Sequence, residues 1–303
     1  MLELLIKVDR NQPSAYYSLF QCCRLLGDQE MALDYLMHAV QLLFDRNNVL
    51  REPSEPDSVQ YSMSECQTAA MGINATQFMK SLVVRHGAQF VDQYVIGHHG
   101  PQSAALKRAH SVLSGIACLG NGGRGENEND VAPEDVATAM HILGNCERKM
   151  EKTDEAIEKF RIANNVRRNA KDKKSHYPSL LLIPGVIMYK WKIANDPQEK
   201  IELVEQAVIE AREVERVMST ETPDRGYEGQ ICLLNMLKNQ MIFNKQLCTM
   251  GYNVEGHSDQ EMIQEIHGLA VEAYRGATTA GDNDQALFVK ESFLDTIKPA
   301  SNS

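Results

Sequence analysis

Histidine and cysteine side chains are the first candidates for chemistry in this sequence. His98 and His99 stand between two glycines and could ligate a metal ion, but no Cys, Asp or Glu stands nearby at the spacing of a metal site. Cys22 and Cys146 could act as nucleophiles only beside an activating base, and neither has one close in the sequence. We therefore predict no metal ion and no catalytic residue, and a turn between helices at the histidine pair.

Two short motifs raise the question of phosphate chemistry. Arg85-His86-Gly87 is similar to the start of the histidine phosphatase motif, which continues with a second arginine and a proline, whereas here Ala88 follows within a helical segment. The glycine-rich run GNGGRG at 120–125 has no Lys-Ser/Thr after it and no strand before it, so it lacks the features of a phosphate-binding loop. Neither motif favours catalysis, and the sequence predicts no cofactor.

Charge and composition argue against several classes of protein. The chain has 303 residues and a net charge of −10, which disfavours general nucleic-acid binding because that function needs a basic face. No apolar run is long enough to span a membrane, and the first residues lack the pattern of a secretion signal. Seven scattered cysteines without a CxxC pair suit a reducing compartment. We expect a cytoplasmic protein, whose helix-like first residues are compatible with a piece of a longer chain.

Helical patterns must position whatever site the chain has. Apolar residues recur three and four positions apart, among good helix formers, in the segments 14–26, 29–44, 134–150, 154–169, 198–218 and 259–279. The short apolar run LLLIP at 180–184 continues into a stretch with helical spacing, so the sequence predicts no sheet.

The predicted organisation has two helical regions around one loop. Residues 119–135 are polar and glycine-rich and predict a flexible loop. Helical repeats are expected before it, in 1–118, and after it, in 136–298, where they continue the first region. Residues 299–303 are expected to form a disordered tail.

The helical segments contain a recurring arrangement of small and large apolar residues. Around Ala156, positions −13 and −12 hold Leu143 and Gly144, and positions +4 and +7 hold Phe160 and Ala163. The same offsets from Ala32 and Ala286 give, respectively, Leu19, Phe20, Leu36 and Ala39, and Ala273, Tyr274, Lys290 and Phe293. Small residues let two helices approach closely, and a large residue fills the space beside them. The pattern predicts helical hairpins, which must stack to bury their apolar faces.

These residues resemble the tetratricopeptide repeat family. The first copy matches its signature at Tyr16, Leu19, Gly27, Ala32, Leu36 and Ala39. Departures are Phe20, where a small residue is expected, Glu151 in place of the turn glycine, and Lys290 and Phe293 in the last copy. The resemblance implies an all-α fold, a right-handed superhelix (α-solenoid) of stacked antiparallel helix pairs. A generic α-solenoid or a helical bundle is the alternative.

The spacing of the copies refines the resemblance. Ala32 and Ala156 are 124 residues apart, and Lys200, the position equivalent to Ala156 one unit later, stands 86 before Ala286. Ala163 and Ala207 are 44 residues apart. Taken as three units for 124, one for 44 and two for 86, these distances predict a period of about 42 residues, longer than the about 34 of the common repeat. Long units of this kind are similar to those of the kinesin light chain type.

The resemblance also implies a binding surface, because the first helix of each unit lines the concave groove in that family. Its second, fifth, ninth and twelfth positions contact the peptide; in the unit that starts at Ala137, and in the next, they are Thr138, His141, Asn145 and Arg148, then Leu182, Gly185, Tyr189 and Lys192. The predicted peptide-binding residues are Tyr17, Gln21, Thr138, His141, Asn145, Arg148, Tyr189 and Lys192. Tyr16 and Trp191 are expected to point inward. Arg148 and Lys192 favour a partner segment with an acidic or carboxylate group.

The function predicted from the sequence is that of a non-enzymatic scaffold or adaptor that binds a partner peptide or helix in this groove. We expect a protein partner, and neither nucleic acid nor membrane. Two alternatives remain open: a ligand-sensing regulatory portion of a larger signalling protein, and an enzyme within 57–118, where the helical register is not readable.

Overall fold

The computed structural model of the chain describes residues 11–49, 75–98, 103–121, 131–170, 177–250 and 259–297. Within these ranges all regular secondary structure is helical and no strand occurs, which confirms the all-α class. The helices are α1 Pro13–Leu26, α2 Gln29–Val49, α3 Ala75–Leu82, α4 Ala88–Ile96, α5 Ala104–Asn121, α6 Pro133–Lys149, α7 Thr153–Asn169, α8 Pro178–Ile193, α9 Pro197–Glu221, α10 Gly226–Thr249, α11 Asp259–Ala280 and α12 Asn283–Val289. All six predicted helical segments are confirmed. None of these described helices combines the length and the apolarity that crossing a bilayer requires.

Neighbouring helices pack in pairs within two compact units, Met1–Lys173 and Lys174–Ser303. In the first unit α1 packs on α2, α6 packs on α7, and α5 contacts both α2 and α6. In the second unit each helix from α8 to α12 packs on the next. The predicted repeat regions 1–118 and 136–298 stay a prediction.

Three hairpin turns predicted from the recurring pattern share one backbone geometry. Gly27, Glu151 and Gly281 each stand five residues before the alanine of their copy and have φ values of 81°, 62° and 76°. In each turn the next residue donates its N–H back to the preceding helix: Asp28 to Cys23 at 3.0 Å, Lys152 to Glu147 at 2.9 Å, and Asp282 to Ala277 at 2.9 Å. This bond and the left-handed residue before it define a Schellman ending. The turns at Ala32, Ala156 and Ala286 are thus confirmed.

The small residues of the copy around Ala156 lie where its two helices touch. Ala156, Phe160 and Ala163 are 0% exposed. A Cβ atom added to Gly144 would lie 2.7 Å from Cε1 of Phe160, closer than two carbon atoms can pack. The close contact of α6 and α7 therefore depends on the glycine.

The regular period of about 42 residues is wrong. It places further turns near residues 110 and 238, yet α5 and α10 run without interruption through these positions. The register also changes at two π-helical turns, Val83–Gly87 and Lys290–Leu294. A π-turn holds an additional residue, so the residues after it face a different direction. The first π-turn accounts for the unreadable register around residues 83–87. At the second, Lys290 is exposed whereas Phe293 is buried.

The predicted loop 119–135 is too long at both ends. Leu119 belongs to α5 because its side chain, 2% exposed, packs in the core of the first unit. At the other end α6 begins at Pro133, followed by Glu134 and Asp135, and proline and acidic residues favour the first turn of a helix. Residues 122–130 and the predicted tail 299–303 lie outside the described residues.

Candidate functional site

A cluster of polar side chains joins α1 to the π-turn in the first unit. The Tyr17 hydroxyl lies 2.6 Å from Nδ1 of His86, and the two rings stack with their planes 22° apart. One helical turn further, Gln21 donates from Nε2 to the Tyr17 hydroxyl at 2.8 Å. The structure therefore connects two predicted binding residues, Tyr17 and Gln21, to a histidine that the sequence analysis considered only as part of a phosphatase-like motif.

The Tyr17 hydroxyl has a hydrogen-bonding partner on each side. It accepts from Nε2 of Gln21, and because a hydroxyl can both donate and accept, its bond to Nδ1 of His86 suits either tautomer of the imidazole ring. Burial raises the pKa of Tyr17, opposed by the Gln21 hydrogen bond and the charge of Arg24, so the hydroxyl stays protonated at neutral pH.

An ion pair joins the π-turn to α6. Nε of Arg85 lies 3.1 and 3.2 Å from the two carboxylate oxygens of Asp135, and a terminal guanidinium nitrogen lies 3.1 Å from one of them. This hydrogen bonding to Asp135, together with its charge, raises the pKa of Arg85. The Arg85 side chain remains 54% exposed, so it is also accessible to a partner.

The predicted binding residues of α6 form one stripe that begins at Asp135. Its further members, at steps of three and four, are Thr138, His141, Asn145 and Arg148. The first three of these are half-buried and Arg148 is exposed. Nδ2 of Asn145 lies 3.2 Å from Nε2 of His141, whose ring packs on that of Phe160. We call the stripe together with Tyr17, Gln21, Arg85 and His86 the first-unit surface.

The remaining predicted binding residues belong to α8 in the second unit. Tyr189 is half-buried and Lys192 is exposed. The expectation that they stand beside the α6 stripe concerns residues of two different units and stays a prediction. Trp191 on the same helix is half-buried, meets Phe243 edge to face, and has the Lys200 ammonium 5.5 Å from its ring centre.

A cleft of about 430 Å³ lies in the second unit, with walls that include α8 and α10. Gly185 of α8 lines it, together with the apolar side chains of Leu181, Ile231 and Met236. We call it the Gly185 cleft. The resemblance implies a groove position for Gly185, but only the tertiary contacts show that the space beside it is open.

Among the candidates for catalysis and metal binding, Cys146 and His98 make structural contacts, whereas Cys22 is exposed. Burial raises the pKa of Cys146 to about 12, aided by the charge of Glu147, so its sulfur is a thiol at neutral pH. His98 follows α4 in the predicted turn, with its ring 4.6 Å from that of Tyr94, while His99 lies outside the described residues. Within the described ranges, no three His, Cys, Asp or Glu side chains are grouped closely enough to share a metal ion.

Comparison with known proteins does not identify a family. No protein-family model matches the chain, and no curated protein matches it. The resemblance to tetratricopeptide repeats therefore depends on the residues described above.

Proposed function

We propose that this chain is a non-enzymatic interaction scaffold or adaptor of the cytoplasm, with helix pairs stacked as a right-handed, tetratricopeptide-like superhelix. Its first-unit surface binds an extended segment of a protein partner. One observation carries the proposal: the bond between Tyr17 and His86 and the ion pair of Arg85 with Asp135 join side chains of α1, the π-turn and α6 into one surface.

The charge of this surface favours an acidic segment. The first-unit surface contains two positively charged residues, Arg85 and Arg148, and one carboxylate, that of Asp135, in a chain whose net charge is −10. The Asn145 amide adds a neutral donor to the same surface. Hydrogen bonds between such donors and a carboxylate contribute about 1.5–3 kcal/mol each when one partner is charged.

Two features support a non-enzymatic function over an enzyme within 57–118. His86 is bonded to a tyrosine rather than to a carboxylate that could activate it. In the described part of that region, Val83, Val84 and Gly87 are buried in helix contacts. Gly87 lies against Leu36, to which an added Cβ would approach within 3.0 Å.

Binding of defined acidic probes tests the proposal. The probes are short, fluorescently labelled peptides of alternating Ser and Glu, with Ser and Gln in the counterpart, and the readout is fluorescence anisotropy. We expect the acidic peptide to bind, and Arg148→Glu to weaken it at least about tenfold, or about 1.4 kcal/mol. Lys192→Glu tests the predicted contribution of α8 in the same way.

Matched charge reversals control for non-specific attraction. Lys173→Glu and Lys174→Glu change the net charge of the chain by the same amount as Arg148→Glu. An equal loss of affinity in all variants would show that the peptide responds only to the net charge of the chain. Equal affinity for the Glu and Gln peptides would reject the acidic preference.

A further inference from the structure

Gly185 is a glycine that packing does not require. A Cβ atom added there meets nothing within 4 Å, whereas at Gly144, Gly229 and Gly276 it would lie 2.7, 2.9 and 2.9 Å from a neighbouring atom. Glycine weakens a helix interior, because it loses more conformational freedom than other residues on folding. In α8 it follows Pro184, which has no N–H for the helical hydrogen bond. The chain therefore carries a destabilising residue that leaves space at the cleft.

The floor of the Gly185 cleft is apolar. Leu181 of α8 and Ile231 and Met236 of α10 line it. Cys232, which also lines the cleft, donates from Sγ to the Leu181 carbonyl at 3.8 Å and connects the two helices. An aliphatic side chain that enters this space would bury its apolar surface against these side chains and away from water, which is favourable.

The rim of the cleft is polar but carries no net charge. Arg225 and Glu228 form an ion pair with each other. Asn235 donates from Nδ2 to the Ile231 carbonyl at 3.0 Å, which holds its amide in place. Its Oδ1 has no hydrogen-bonding partner in the part of the chain that the structure describes. Gln285 supplies a second carboxamide, and a carboxamide can both donate and accept, as a peptide backbone does.

We infer that the Gly185 cleft binds one aliphatic side chain, of the size of leucine or methionine, from an extended uncharged peptide segment whose backbone hydrogen-bonds to Asn235 and Gln285. The volume of about 430 Å³ suits one such side chain with its flanking backbone. The inference shares with the proposed function only the class of ligand, since it uses other residues and the opposite charge preference.

A substitution that fills the cleft tests the inference without disturbing the fold. In Gly185→Leu the new side chain occupies the open space. Gly268→Leu is the matched control, since Gly268 is also an exposed glycine inside a helix with nothing within 4 Å of an added Cβ, and it does not line the cleft. Both variants should melt at or above the temperature of the parent protein, because leucine favours a helix more than glycine does.

The probes are acetylated and amidated pentapeptides, Ser-Ser-Leu-Ser-Ser and its versions with Met, Ala or Glu in the centre. Methyl NMR signals of Ile231 and Met236 report binding in the full chain. We expect saturable shifts with the Leu and Met peptides, and at least about tenfold weaker binding of the Ala and Glu peptides. Gly185→Leu should abolish the shifts and Gly268→Leu should retain them.

Three results would each overturn the inference: no saturable shift in the parent protein, equal binding of the Leu and Glu peptides, or shifts that persist in Gly185→Leu. The first-unit surface is tested by other probes and by Arg148→Glu. A failure at the cleft thus leaves the proposed acidic-segment binding intact, and a failure at the first-unit surface leaves the cleft intact.

Discussion

Glu151 occupies the left-handed backbone conformation that glycine occupies in the two equivalent turns, with a φ of 62°. This conformation costs a residue with a Cβ atom about 1–2 kcal/mol. Glycine avoids this cost, but part of the gain in stability is offset because glycine makes the unfolded chain more flexible. We predict that Glu151→Gly is more stable than Glu151→Ala by about 0.5–1 kcal/mol. Both variants lose the carboxylate side chain, so their difference isolates the backbone.

Urea denaturation measures this difference from the transition midpoints, provided that both variants have the same dependence on denaturant. Equal midpoints would mean that the turn carries no strain at Glu151.

At Gly144 a glycine is required for a different reason, because there is no space for a side chain. In Gly144→Leu the side chain would have to displace the Phe160 ring, which lies 2.7 Å from the position of an added Cβ atom. We predict a loss of about 1–3 kcal/mol in the free energy of unfolding, as is typical of overpacked cores. Gly268→Leu, with open space at the same kind of helical position, should lose nothing. Thermal unfolding of the two variants compares them, and a Gly144→Leu protein that melts with its parent would contradict the packing of α6 on α7.

At the scale of elements, a hydrogen-bonded network joins α2, α4 and α5. The hydroxyl of Tyr94 on α4 donates to the Glu30 carboxylate of α2 at 2.6 Å. Arg108 of α5 pairs with the same Glu30 and with Asp34. Lys149 adds a link from α6, since its ammonium donates to the Val95 carbonyl at the end of α4 at 2.7 Å.

This network predicts a loss of stability at high pH. Burial raises the pKa of Tyr94 from 10.0 to about 12, and the hydrogen bond to Glu30 and its negative charge add to the effect. Between these two values the unfolded chain has lost the tyrosine proton while the folded chain retains it, so unfolding releases a proton and becomes easier as the pH rises. The contribution of Tyr94 to stability is therefore fully present below about pH 10 and lost by about pH 12.

Denaturation at a series of pH values from neutral to strongly alkaline tests this, with Tyr94→Phe as the variant. Since phenylalanine does not ionise, the variant should lose less stability over this range than the parent protein. Tyr17 and Tyr227, whose pKa values are also raised, remain in both proteins and do not affect the comparison. The same pH dependence in both would exclude Tyr94 as its source.

At the scale of the whole molecule, cysteine reactivity reports global unfolding. Burial raises the pKa of Cys146 to about 12, whereas Cys22, Cys118 and Cys248 are exposed. Because the thiolate reacts with iodoacetamide, the exposed cysteines should be modified in the folded protein and Cys146 only on unfolding. Mass spectrometry of peptides from protein treated at increasing denaturant concentrations measures both groups. Modification of Cys146 without denaturant, at the rate of Cys22, would contradict the packing of α5 against α6.

The amino-acid sequence by itself determined the all-α class, six helical segments and three hairpin turns. Each of these depends on residues close together along the chain: the three-and-four spacing of apolar residues, and the fixed offsets of small and large residues around an alanine. The contact of Gly144 with Phe160 was also predictable, because a short turn brings their two helices together. The α6 stripe was predictable for the same reason, since helical geometry places residues at those steps on one face.

Only the tertiary structure decided which stripes meet and where space remains. The π-turn at 83–87 adds a residue that no 3.6-residue pattern anticipates, and it sets the direction of Arg85 and His86. Their partners, Asp135 and Tyr17, stand 50 and 69 residues away. The open space at Gly185 likewise results from the distance between α8 and α10. Such distances follow from the packing of whole helices, to which residues far apart in the chain contribute together, so local spacing cannot determine them.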